Sequence, residues 1–316
     1  MQEIKKILCI VGPTAAGKSK LAMEFCRRNM KLKPEIISMD SAQIFKEIDI
    51  ATAKPSIEEQ KEIPHHLIDI CDPTETYSVA KFINDTNKLI VKILKKKGTP
   101  LIVGGTMMYL KRLTDGIANI PLIPIEIREK INMEGNLKGW SYLFKRLSII
   151  DPDLCKLISE NDSQRITRGL EVWEYTGKTL SEWKFENSEE KTINNISHNF
   201  IPIALIPRDK KHHHKKINAR FSKMIQQGLV NEVKNLKKRG DLTLGHSSIK
   251  LVGVKQTWNY LENNLGLDDL LRTGIIATRQ LAKHQLTWIN KFESIKKIDP
   301  YELSLDQQIS ICKSSL

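Results

Sequence analysis

The chain begins with a short apolar run, Lys5-Lys6-Ile7-Leu8-Cys9-Ile10-Val11, that stops at Gly12. A continuous apolar run of this length, bounded by a glycine, predicts a strand buried on both faces. From Gly17 to about Met30 the apolar positions recur at helical spacing. A second strand pattern, Glu35 to Met39, ends at Asp40, and a third, Thr99 to Val103, ends at Gly104-Gly105. Between them, Val79 to Lys96 carries the helical period again. Strand, helix, strand, helix is the order of a parallel sheet with crossover helices.

The pattern changes after about Gly116. From there to about residue 195 only helical spacing recurs, broken at Pro121, Pro124 and Pro152. A further strand, Phe200 to Ile206, then ends at Pro207-Arg208-Asp209 and is expected to rejoin the sheet. The expected architecture is therefore α/β, a P-loop-containing parallel sheet core with an inserted all-helical subdomain. The core is expected from residues 1–116 and 197–316, and the insertion from 117–196. Glu186 to Ser197 is polar and reads as a loop. Residues 215–239 and 267–291 read as helices. The tail after about residue 300 is weakly patterned and predicts no element.

Composition narrows the class. With 316 residues, 40% hydrophobic and 28% charged, the chain can build a packed core, which excludes global disorder. The formal net charge of +13 favours a polyanionic partner, nucleic acid or a membrane surface, although a lysine-rich solvated surface gives the same number. No run of 18 apolar residues predicts a membrane span. Cys9, Cys26, Cys71, Cys155 and Cys312 are odd in number and lack C-x-x-C spacing, which points to a reducing cytoplasm without disulfides or a zinc module. The chain enters its first strand so early that no cleaved leader is expected.

Residues 12–19 read Gly12-Pro13-Thr14-Ala15-Ala16-Gly17-Lys18-Ser19 and fit G-x-x-x-x-G-K-[ST], with a strand before and a helix after. The loop's backbone N–H groups would cradle an anion, and the helix N-terminus adds a favourable dipole. Lys18 would reach the outer phosphate, and the Ser19 hydroxyl would help hold Mg²⁺. The motif implies a bound diphosphate or triphosphate, not which molecule carries it. An ordinary phosphate-loop kinase or ATPase usually places a second acid for Mg²⁺ at the end of a neighbouring strand. Here the strand ending at Val103 is followed by Gly104-Gly105-Thr106, and the strand ending at Met39 is followed by Asp40. Ligands gather at the carboxyl ends of parallel strands, so Asp40 and Thr106 would both face the phosphate loop. One carboxylate and one hydroxyl beside a diphosphate suit a base for an attacking group and a donor for a leaving group. The alternative for both residues is a helix N-cap.

Longer segments resemble one family. Asp40-Ser41-Ala42-Gln43-Ile44-Phe45-Lys46, Asp49-Ile50-Ala51-Thr52-Ala53-Lys54-Pro55, Pro64-His65-His66-Leu67-Ile68-Asp69 with Tyr77-Ser78, and Val103-Gly104-Gly105-Thr106-Met107-Met108-Tyr109 look like the signature of tRNA dimethylallyltransferases. Asn161-Asp162-Ser163-Gln164-Arg165-Ile166-Thr167-Arg168-Gly169-Leu170-Glu171 resembles the motif of that family's insertion domain. Thr278-Arg279-Gln280-Leu281-Ala282-Lys283-His284-Gln285, on to Trp288, resembles its C-terminal helix. The resemblance runs in order from residue 7 to about 290.

It implies dimethylallyl diphosphate as donor, and as acceptor the exocyclic amine of the adenine just 3′ of the anticodon in tRNA. Mg²⁺ is the implied cofactor. Asp40 corresponds to the general base, Thr106 to a residue near the leaving oxygen, and residues 14–19 to the donor site. Asp40, Ser41, Ala42 and Gln43, Gln164, Arg165, Ile166, Thr167 and Arg168, and Lys250, Leu251, Val252, Gly253, Val254 and Lys255 correspond to segments that touch tRNA. Thr106 and Arg128 match two more tRNA contacts, and Arg279 and Lys283 match a basic face along the anticodon stem. A cytoplasmic monomer is expected. Phe45, Ala51, Val254, His284 and Asn290 depart from the family pattern, and none touches the phosphate loop, Asp40 or Thr106.

Two further features read as ordinary surface or core. Lys210-Lys211-His212-His213-His214-Lys215-Lys216 reads as a basic surface loop, since three adjacent histidines converge poorly on one metal ion. The five tryptophans read as core. The competing readings are a phosphate-loop kinase for a nucleotide or small molecule, and a non-catalytic RNA-binding protein. The first leaves the Gly-Gly-Thr strand end unexplained, and the second leaves Asp40 without a task.

Overall fold

In the computed structural model of the protein the described residues are 5–116, 118, 120–189, 198–263 and 265–316. They divide into two compact units, Met1–Thr114 with Ser197–Leu316, and Asp115–Ile196.

The first unit is built on a six-stranded sheet. Strand β1 (Lys6–Val11) leads through the phosphate loop into helix α1 (Lys18–Arg28), and β2 (Pro34–Ser38) follows. A short helix α2 (Ile57–Glu62) and a two-residue strand β3 (His65–His66) precede α3 (Val79–Lys95), β4 (Thr99–Gly104) and α4 (Met107–Asp115). The strand order is β3-β2-β4-β1-β5-β6, where β5 is Asn199–Leu205 and β6 is Lys296–Ile298, and every pairing is parallel. The strand after the insertion thus rejoins the sheet beside β1. Pairings as short as those of β3 and β6 leave too little periodicity to be seen in the sequence.

Alternation along β1 builds two cores, because successive side chains point to opposite faces. Ile7, Cys9 and Val11 pack on one side with Phe82, Ile90 and Leu110. Leu8 and Ile10 pack on the other with Leu21, Phe25 and Ile309. The last of these belongs to a helix in the weakly patterned tail, which closes the chain as Leu305–Ser315. Its start signal was present: Ser304 accepts from the Gln307 N–H, and the Gln307 side chain accepts from the Ser304 N–H.

The second unit contains α5 (Ile125–Lys138), α6 (Trp140–Ile150), α7 (Pro152–Cys155), α8 (Ser163–Thr176) and α9 (Leu180–Glu189). Ile131, Leu143, Leu147, Leu154, Ile166 and Leu170 form its own core. Helix α9 runs past Glu186, where a loop was expected to start, and the remainder of that expected loop, 190–197, lies outside the described residues.

Beyond β5 the basic run 210–216 is not a loop. It forms the first two turns of α10 (Lys210–Gln226), because Asp209 caps the helix by accepting the His212 N–H. The expected helix over 215–239 is two, α10 and α11 (Leu229–Lys238), parted at Gln227-Gly228. Helix α12 (Val254–Glu262) and the long α13 (Leu267–Asn290) complete the unit before β6 and α14 (Leu305–Ser315). Among the described residues no helix is long and apolar enough to cross a membrane.

Candidate functional site

A cavity of about 600 Å³ opens at the carboxyl ends of β1, β2 and β4, and Thr14, Lys18, Ser19, Asp40 and Thr106 line it together. The phosphate loop owes its curl to left-handed backbone at Ala15 (φ 63°) and Gly17 (φ 94°), the second of which caps α1. Left-handed residues set between right-handed ones turn successive N–H groups inward, the geometry of an anion nest.

The neighbouring strand end explains the Gly-Gly-Thr sequence. A Cβ on Gly104 would lie 2.0 Å from the Met39 carbonyl oxygen, so only glycine lets β4 pass the end of β2 there. This close approach brings Thr106 beside the residues after β2. Its N–H donates to the Met39 oxygen (3.3 Å), and its hydroxyl accepts the Ser41 N–H (3.0 Å) and donates to the Ser41 Oγ (3.2 Å). Asp40 begins a turn rather than a helix: its Oδ1 accepts the Ala42 N–H at 2.9 Å. Among the described residues no donor bonds Oδ2.

The charge around Asp40 at this site is cationic and partly desolvated. Lys18 is half-buried, lines the cavity and donates to the Pro13 oxygen (2.8 Å). Burial lowers its pKa to about 8, with Arg220 pushing the same way and Asp40 partly opposing. Arg220, on α10, lines the cavity too, and burial likewise lowers its pKa against the pull of Asp40. Arg220 escaped the sequence reading, since one arginine in a polar helix carries no motif.

The other residues singled out by sequence are distributed as follows. Ser41, Ala42, Gln43, Lys250, Leu251 and Val252 line the cavity. Gly253 caps α12, Val254 is fully buried and Lys255 is exposed. The Val254 side chain therefore belongs to the core. In the helical unit Gln164 and Arg165 are exposed, while Ile166 and Thr167 are buried. Ile166 packs in the core, and the Thr167 hydroxyl donates to the Asn132 Oδ1 at 3.0 Å. Arg128 donates through Nε and Nη2 to the two oxygens of Glu171 (2.7 and 2.8 Å), and Arg168 donates Nη1 to the same carboxylate (2.7 Å).

On α13, Lys283 is exposed, but Arg279 turns to α10 and donates to the Asn218 Oδ1 at 2.9 Å, so the expected row of outward basic residues is interrupted. Of the five tryptophans, Trp288 packs against the core while also lining the cavity, and Trp173 is exposed, so the core reading fails for Trp173. In the basic run, His213 is buried, with Nδ1 paired to the Tyr301 hydroxyl at 2.8 Å. Among the described residues no group of three or more His, Cys, Asp or Glu is arranged to hold a metal.

Residues 43–292 match the family model for IPP transferase. The chain belongs to that family. It is 44% identical over 293 residues to the tRNA dimethylallyltransferase of Nitrosococcus oceani, covering 93% of this chain and 91% of the relative. It is 42% identical over 290 residues to the enzyme of that name from Francisella tularensis subsp. novicida, covering 92% of each. Among solved structures it resembles the full-length tRNA isopentenylpyrophosphate transferase of Bacillus halodurans, with a TM-score of 0.69, 32% identity, and coverage of 98% of this chain and 95% of that one. It also resembles a eukaryotic dimethylallyltransferase caught acting on tRNA, with a TM-score of 0.78, 26% identity, and coverage of 94% of this chain and 74% of that one. The α/β core and the transferase reading hold, and the kinase alternative falls. The family-model match begins after the phosphate loop, so the reading of residues 12–19 stands on motif and geometry.

Proposed function

We propose that this IPP transferase moves a dimethylallyl group from dimethylallyl diphosphate to the exocyclic amine of the adenine 3′ of the anticodon in tRNA. One observation carries the reading: Asp40 and Thr106, at the ends of adjacent strands, line the same cavity as the phosphate loop. The cavity volume, about 600 Å³, is ample for a donor and a base together.

An adenine amine is a weak nucleophile, because its lone pair is delocalised into the ring. Allylic diphosphates ionise readily at their first carbon. The bond from that carbon to the diphosphate oxygen breaks, the carbon–nitrogen bond forms, and the amine loses one proton. The transition state gains negative charge on the diphosphate, and fixed donors and cations at that place are commonly the largest catalytic term. The loop N–H groups, Lys18 and Arg220 supply them. Asp40 has a carboxylate oxygen free to orient the amine and take its proton. The Thr106 hydroxyl can turn from Ser41 to the leaving oxygen. To react, the base must leave its stack, which costs a few kcal/mol.

The donor set fits Mg²⁺. The Ser19 hydroxyl is a hard oxygen ligand on the cavity and would hold the ion, which completes its shell with water and substrate phosphates rather than with an acidic cluster. When bound it would neutralise charge on the diphosphate. For the helical unit, Arg128, Arg165 and Arg168 are the proposed RNA contacts, with Lys283 on α13.

The test is incubation with unmodified tRNA and labelled dimethylallyl diphosphate. Label is expected in the RNA at the adenine beside the anticodon. Turnover of ATP without labelled RNA would overturn the reading.

A further inference from the structure

Gln285, on α13, uses both ends of its side-chain amide at the cavity wall. Its Oε1 accepts the N–H of Thr14, within the phosphate loop, at 2.8 Å. Its Nε2 donates to the carbonyl oxygen of Gly105, the residue before Thr106, at 3.1 Å. One amide thus spans from the loop that would hold the diphosphate to the strand end that carries the leaving-group hydroxyl. The chain also leaves space for it: a Cβ on Gly105 would come within 2.5 Å of Nε2. A residue present only to fill volume has no need of two polar partners on two different segments.

We infer that Gln285 is a positioning residue for the transfer reaction, setting the distance between the phosphate loop and Thr106. This rests on the function proposed above. The chemistry of the position calls for an amide. Thr14 presents a donor and Gly105 an acceptor, so the bridging group must accept at one end and donate at the other. A carboxylate can accept from Thr14 but opposes the Gly105 oxygen, and it adds negative charge beside a diphosphate. An aliphatic side chain makes neither bond. Because bound geometry governs rate steeply, a small shift between loop and strand end acts on kcat as well as on donor binding.

The experiment compares Gln285→Leu and Gln285→Glu with the wild-type chain, after thermal melts have shown the variants folded. Gln285→Leu is expected to lose roughly tenfold or more in kcat/KM for dimethylallyl diphosphate, with the KM for tRNA unchanged. Its affinity for inorganic diphosphate, titrated by calorimetry, should fall about tenfold, as the bond to the loop at Thr14 and its anchor at Gly105 are gone. Gln285→Glu should show a pH signature. Its activity relative to wild type rises as the pH falls, since the protonated acid regains a donor for Gly105 and sheds its charge. Wild-type kcat and KM in Gln285→Leu, or a ratio for Gln285→Glu that is flat with pH, would overturn the inference. The diphosphate titration reads the loop without any prenyl transfer. A wild-type chain that binds diphosphate but labels no tRNA therefore counts against the proposed function, whereas one that labels tRNA as well as its variants do counts against Gln285.

Discussion

The two units hold their cations in opposite ways. At the cavity Lys18 and Arg220 are half-buried, and burial lowers both pKa values, with Asp40 pulling the other way. In the helical unit Arg128 is exposed over 55% of its side chain and Arg168 over 39%, yet both are tied to Glu171, which is 1% exposed. There the arginines hold the buried carboxylate well ionised against its burial, and the ion pair in turn strengthens Arg128's hold on its proton. The first arrangement gathers positive charge suited to a compact, highly charged anion. The second is already neutralised in part, and what it offers is direction: exposed guanidinium groups anchored on one buried carboxylate. A small diphosphate is best met by unscreened charge in a dry pocket, whereas a long polyanion is best met by oriented donors on an open face.

The strongest break in this comparison is Asp40→Ala. The carboxylate balances two half-buried cations and is the proposed acceptor of the amine proton. Turnover should fall by roughly 10²-fold or more while tRNA still binds. Near-wild-type single-turnover rates in that variant would remove Asp40 from the chemistry.

A pH profile sharpens the cavity side. The pKa of Lys18 is lowered to about 8 in the ligand-free chain, and the diphosphate selects the protonated amine. Binding should therefore be insensitive to this group well below pH 8 and weaken as the pH rises through it, approaching tenfold per pH unit above. The KM for dimethylallyl diphosphate reads this directly. Lys18→Arg carries a group that keeps its proton, and its profile should be flatter over the same range; an unchanged slope would assign the titration elsewhere.

How much of this could be read from the sequence differs between the two regions for physical reasons. The phosphate loop and the strands behind it follow local rules: an apolar run, a glycine-rich turn, a helix start. Asp40 and Thr106 were within reach because parallel strands deliver their carboxyl ends to one edge. Arg220 was not, since it leaves no local pattern and acts through a fold that returns α10 to that edge; Gln285 was legible as part of the segment 278–288, but its bridge to the phosphate loop was not, because that depends on where the fold returns α13. The basic run 210–216 misled because its composition resembles a solvated loop, while the deciding residue, Asp209, lies just before it. In the helical unit the segment 164–168 was legible as a whole. Its division into buried Ile166 and Thr167 and outward Arg165 and Arg168 follows from helical phase within α8. The tie from Arg168 to Glu171 is local, three residues on, but Arg128 comes from another helix.

The smallest expected effect separates charge from direction on that second face. Glu171→Gln keeps the side-chain shape and removes one negative charge beside the proposed RNA contacts. If only net charge mattered there, the variant would bind tRNA more tightly, and the slope of log affinity against log salt would steepen by up to about 0.7–0.9. If Glu171 serves to aim the arginines, the same variant binds more weakly at working salt even though its surface is more positive. A glutamine offers one accepting oxygen where the carboxylate offers two, so it cannot hold Arg128 through both oxygens while also holding Arg168. We expect the second result: a KM for tRNA raised by roughly threefold to tenfold, consistent with the loss of one or two charge-assisted bonds on an exposed face. The KM for dimethylallyl diphosphate should not move. Tighter tRNA binding in Glu171→Gln would mean that the helical unit attracts RNA by charge alone, and the contrast between the two regions would reduce to a difference in exposure.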